Sequence, residues 1–139
     1  MIEEKFKKHP VLKAEAVAYE EIDAAAAIAG VKLPEDYREF IHRYGGAIVG
    51  PLPIIGLRKA QAMANTERSV FEVTKHFRSQ GWRGVDEWLV ISVDLAGNPI
   101  GLDKDGRIWI FDHDAGVVEI IAKNFEGFLR KRCLKLDQS

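Results

Sequence analysis

Residues 88–121 read WLVISVDLAGNPIGLDKDGRIWIFDHDAGVVEII, and the period of this stretch decides the fold. Its apolar residues fall in four short runs, WLVISVD, PIGLD, RIWIFD and VVEII, divided by LAGN, KDG and HDAG. Runs of this length, rich in Ile, Val and Trp, favour strands, and the Gly, Asn and Asp between them supply turn chemistry. Connections so short join antiparallel neighbours, so the pattern predicts a β-meander. RIWIFD has Ile108 and Ile110 on one side and Trp109 and Phe111 on the other, as expected of a central strand covered on both faces.

Upstream the period changes to that of helices. In LPEDYREFIHRYGG (33–46), Tyr37, Phe40, Ile41 and Tyr44 form one apolar face, and Arg38, Glu39, His42 and Arg43 form the other. Pro34 suits the first helical position, Glu35 and Asp36 complement the positive end of the dipole, and Gly45 suits the left-handed stop. AYEEIDAAAAIAG predicts an earlier helix striped by Ile22, Ala25, Ala26 and Ala29 and stopped by Gly30. Ile2 and Phe6 suggest a turn or two of helix before His9-Pro10. TERSVFEVTKHFRSQG predicts a middle helix with Val70, Val73, Thr74 and Phe77 inward, ended by Gly81. NFEGFLRKRCLKL predicts a last one, capped by Asn124, with Phe125, Phe128, Leu129, Cys133 and Leu136 inward. Between them, AIVGPLPIIGL is broken by Gly50, Pro51, Pro53 and Gly56, which predicts one edge or irregular strand. The expected fold is α+β, an antiparallel-dominated sheet packed by N-terminal, middle and C-terminal helices. The sheet is the four-stranded meander plus one irregular N-terminal strand.

At 139 residues the chain fits one domain, 1–139, and its 47% hydrophobic and 29% charged residues exclude disorder and fibre. Cys133 is the only cysteine, so there is no internal disulfide and no multi-cysteine metal cluster. The N-terminus MIEEKFKKHPVLK lacks a signal-type apolar core and no run is long enough to span a membrane, which predicts a soluble, cytoplasmic protein. Charge is unevenly distributed. Val85–Ile121 holds eight acidic and two basic residues, a net −6, against −1 for the whole chain.

The motifs that resemble chemistry lack its essential parts. GGAIVG has phosphate-loop glycines, but Pro51 and Leu52 stand where Lys and Ser/Thr are required. GLDKDGRIWIFD aligns in part with a calcium loop, yet begins with Gly101, ends with Asp112 in place of Glu, and lies between strands. In DHDAG, alternation sends His113 away from Asp112 and Asp114. His9, His42 and His76 have no ligand-type partner at helical spacing, and Cys133 lies on an apolar helix face. No serine has a nucleophile-elbow context. The basic cluster Arg130, Lys131, Arg132 and Lys135 lacks interleaved aromatics, so direct nucleic-acid binding is not expected. No catalytic constellation, cofactor or metal site emerges. A divalent-metal hydrolase built on Asp103, Asp105 and Asp112 stands as the third-ranked reading.

The ordered motifs VKLPEDYREFIHRYGG, WLVISVD, GNPIGLD, GRIWIFDHD and NFEGFL resemble the SUKH superfamily over about residues 18–130. That superfamily includes bacterial immunity proteins and fungal cell-wall assembly regulators. The resemblance implies a non-enzymatic α+β domain whose usual bacterial role is to neutralise a cognate toxin domain, often a nuclease. It implies framework roles for Leu33, Pro34, Tyr37, Phe40, Gly46, Trp88, Gly97, Asp103 and Phe125. The expected partner is a basic, nuclease-type toxin domain, and the expected contacts are Asp103, Asp105, Asp112, Asp114 and Glu119, with Trp109 as aromatic anchor. The alternative is an intracellular scaffold or regulator of the same fold, and a homodimer through an edge strand is compatible with either.

Overall fold

The computed structural model describes residues 11–59 and 69–135. The expected turn at residues 2–8 and Leu136 lie outside them. The described elements are β1 (Val11–Lys13), α1 (Tyr19–Ala29), α2 (Glu35–Tyr44), β2 (Ala47–Val49), β3 (Leu52–Ile54) and α3 (Val70–Ser79). They continue with β4 (Leu89–Val93), β5 (Pro99–Leu102), β6 (Ile108–Asp112), β7 (Val117–Ala122) and α4 (Phe125–Phe128). A π-helical turn, Leu129–Cys133, extends α4. The fold is α+β with antiparallel sheets, and β4-β5-β6-β7 is the expected meander in sequence order.

One expectation is corrected. AIVGPLPII is a hairpin of two strands, and it belongs to a separate three-stranded sheet of order β1-β2-β3. Gly50, at φ 58, occupies the first loop position ahead of Pro51, the place where a two-residue hairpin needs a residue free to go left-handed. Pro53 is tolerated because β3 ends that sheet. The chain then crosses to the meander, where the Ile55 amide donates to the Ile91 carbonyl at 2.8 Å. Proline and glycine were rightly read as interruptions, but what they interrupt is two strands and not one.

α2 and α4 pack on one face of the meander, and α3 packs against β4, its first strand. On one face α2 and α4 bury Tyr37, Phe40, Phe125 and Phe128 against Ile100, Ile108 and Ile110. The Phe125 ring meets Tyr37 edge-on at 5.1 Å and Phe40 at 5.2 Å. Pro34 sits one residue before α2, in extended geometry (ψ 146), and not at its first helical position. Asp36 is the second residue of that helix and accepts a bond from the Glu126 amide at 3.2 Å, so its carboxylate satisfies an orphan N–H of α4. Asn124 caps α4 as expected, its side chain accepting from the Gly127 amide.

α3 packs against β4. Ser69 and Glu72 form a reciprocal capping box at its start. Thr74 is buried because both roles of its hydroxyl are satisfied: it donates to the Val70 carbonyl at 2.7 Å and accepts from the Val90 amide at 2.8 Å. That amide belongs to the irregular stretch of β4 between Val90 and Ser92. Trp88 lies across Gly101, where a Cβ would come within 2.5 Å of the Trp88 Cβ.

Cys133 is buried, and burial pushes its thiol up to about 12. It is therefore core, as its helical position suggested. At neutral pH a maleimide reagent should label it only upon unfolding; labelling of the native protein on the minute timescale would contradict that.

Candidate functional site

The acidic residues singled out from the sequence occupy three places along β6 and β7. An antiparallel meander returns alternate turns to the same end, so the β4–β5 and β6–β7 turns share one end and the β5–β6 turn lies at the other. Asp103 and Asp105 are separated from Asp112 and Asp114 by β6, five residues long, or roughly 16 Å at ~3.3 Å per residue. Closeness in the chain therefore does not place the two pairs at one end of the sheet.

Asp103 is buried, and its carboxylate is used inside the protein. It accepts from the Asp105 amide (2.8 Å), the Arg107 amide (2.9 Å), Arg107 Nε (3.0 Å) and Trp109 Nε1 (2.7 Å). Burial pushes its carboxyl up, but these hydrogen bonds outweigh burial and hold it below the usual range. Asp103 therefore organises the β5–β6 turn and orients Trp109. Since its folded pKa is depressed, its contribution to stability is complete above the unfolded value and lost as pH falls through the folded one. The thermal stability of the native chain should fall below about pH 4. Asp103→Asn should be ~1–3 kcal/mol less stable at pH 7 and show a smaller acid dependence; unchanged melting at both pH values would contradict the role.

Asp105 is exposed and ion-paired to Arg107 at 3.0 Å. At the opposite end, Asp112 accepts from the Asp114 and Ala115 amides at 3.0 and 3.2 Å, a turn-forming role. Asp114 is exposed, 3.4 Å from His113 Nε2. His113 contacts Asn98 through both its backbone amide and Nδ1, and the buried Asn98 in turn donates to Asp94, joining the two turns at this end. Asp94 uses its other oxygen on the Ala96 and Asn98 amides. Among the described residues no group of three or more His, Cys, Asp or Glu is placed to hold a metal ion. The separation of Asp103 and Asp105 from Asp112 removes the geometry of the hydrolase reading.

Trp109 on β6 and Glu119 on β7 lie on the last two strands of the sheet, and among the described residues no further strand pairs with β7. Trp109 is half-buried and stacked on Trp88, with ring centroids 6.2 Å apart. It faces a cleft of about 290 Å³ bordered by Glu87, Trp88, Asp105, Arg107 and Val118. Register pairs Trp109 with Ile120 and Phe111 with Val118, so these four side chains share one face. Ile110 pairs with Glu119 and Asp112 with Val117, so Glu119 lies on the opposite face. Trp82 meets Phe111 edge-on, and the Arg83 guanidinium lies 5.8 Å from the Phe111 ring. The covered central strand expected at β6 is thus sealed on one face and only half covered on the other.

Sequence reasoning missed Val117, Val118 and Ile120, the apolar residues left at the surface of β7. Val117 is 44% and Ile120 48% exposed. The signal was present: an apolar strand placed last in a meander has, among the described residues, no strand paired on its outer side.

The described residues thus form an α+β domain with two antiparallel sheets, one ending at β7. The model of the SMI1 / KNR4 family (SUKH-1) matches residues 17–131, and the chain belongs to that family. No curated protein matches the chain. No helix among the described residues is long and apolar enough to cross a membrane.

Proposed function

We propose that this protein is a non-enzymatic, cytoplasmic binding domain of the immunity type, which neutralises a basic toxin domain, nuclease-type, by docking it on the β6–β7 side. Family membership supports the class. The observation that carries the surface is the combination at β7: Trp109, Val118 and Ile120 on one face, the exposed carboxylate of Glu119 on the other, and Asp105 and Asp114 at the two ends. Among the described residues Glu119 has no ion pair, so it keeps its charge available. Apolar and aromatic groups give such a contact its affinity, and charge governs encounter and partner choice.

The test is capture on the immobilised protein from a lysate of its source in which the adjacent gene is expressed, with elution by rising salt. One basic protein with a nuclease-like domain is expected. Envelope or signalling proteins in its place would favour the regulator reading of the same fold. The charge-reversal pair is Asp114→Lys with Glu119→Lys, since Asp112 holds its turn and its loss would disturb folding. Association with the captured partner should slow about tenfold at low salt with the melting temperature nearly unchanged. Binding indifferent to both reversals would remove the acidic contribution.

A further inference from the structure

β7 is the last strand of its sheet, and among the described residues no strand pairs with its outer side. At six residues it is the longest strand described. An unpaired strand presents a row of backbone donors and acceptors, which natural proteins ordinarily shield with a covering element, prolines or charges. Here the shielding is slight: one Glu in VVEIIA, and an irregular step opposite the Ile108–Trp109 pair of β6. The edge is apolar on the Trp109 face, and on the other it carries the carboxylate of Glu119 beside the exposed Val117.

We propose that β7 is a strand-docking edge, on which an extended segment of the partner adds as a fifth strand of the sheet. The segment is one that alternates basic and apolar residues. This deepens the protein-binding reading and rests on it. Alternation follows from the pleat: side chains of the incoming strand that point to the Trp109 face lie beside Val118 and Ile120, and their neighbours in sequence lie beside Glu119. A partner with apolar residues at one parity and Lys or Arg at the other satisfies both faces at once. A second copy of this chain does not. In the self-pairing centred on Glu119, two carboxylates stand directly opposite, which is destabilising.

The test uses the full chain, isotope-labelled, with two seven-residue end-blocked peptides, one alternating Lys and Val and one alternating Glu and Val. The Lys/Val peptide should slow hydrogen exchange of amides within 117–122 and shift the Trp109 indole resonance, whereas the Glu/Val peptide should do neither. Glu119→Lys, at an exposed position, should weaken the Lys/Val peptide about tenfold and admit the Glu/Val peptide. Equal response to both peptides, shifts confined to another surface, or no response at millimolar peptide would overturn the proposal. So would a free protein that sediments as a dimer with its β7 amides already protected. If a captured partner binds tightly while exchange in 117–122 is unaltered, the edge assignment fails and the protein-binding reading stands.

Discussion

Phe125→Ala will lower the unfolding free energy by ~3–5 kcal/mol, the range for truncating a buried aromatic. The side chain is 1% exposed and contacts the rings of Tyr37 and Phe40. It is also the first residue of α4, whose amides are capped by Asn124 and Asp36. Removing the ring leaves a cavity between two helices and the sheet, and those helices are held too firmly by hydrogen bonds to collapse into it. Urea denaturation should show a lower midpoint with an unchanged slope. A loss below about 1 kcal/mol would mean that the helices do close over the gap.

Gly101→Ala is the second large effect, and its cause is contact and not backbone conformation. A Cβ at this position would lie 2.3 Å from Trp88 Cε3 and 2.5 Å from its Cβ. The indole is 4% exposed and stacks on Trp109, so moving it aside gives up that packing. Overpacking of this kind typically costs ~1–3 kcal/mol and more where neighbours cannot yield. The two side chains should be strongly coupled: in a Trp88→Ala background, Gly101→Ala should cost little. Additive losses in the double variant would mean that the strain lies elsewhere. Because Trp88 supports Trp109, the single variant should also change the tryptophan fluorescence of the folded protein.

Much of the architecture was legible because local rules and tertiary structure agreed. Tyr37, Phe40, Ile41 and Tyr44 recur at helical spacing, and all four are buried. Gly30, Gly45 and Gly81 follow helices with positive φ, as stop residues should. The four meander strands and their turns fall where the period-two runs placed them. The second sheet was less legible. β1, β2 and β3 have three residues each, too few to establish a period, and their partnership spans more than thirty residues of intervening chain.

The candidate site was legible in its residues and not in its arrangement. Asp103 and Asp112 look alike in sequence, each an aspartate at the edge of a strand. One is buried at the centre of four hydrogen bonds, and the other receives two at a surface turn. Trp109 was named as an anchor for its residue type, but the half-exposure that suits the role comes from Trp88 covering one part of it while the strand beyond has no cover.

By itself the sequence determined the strand period, the helix faces, the turns and the family, since these depend on spacing along a few neighbouring residues. Tertiary structure alone decided which strand is an edge, which carboxylates reach solvent and which acidic groups stand together. Those depend on which distant segments meet. An antiparallel meander sends neighbouring turns to opposite ends of the sheet, so charges close in the chain become far apart in space.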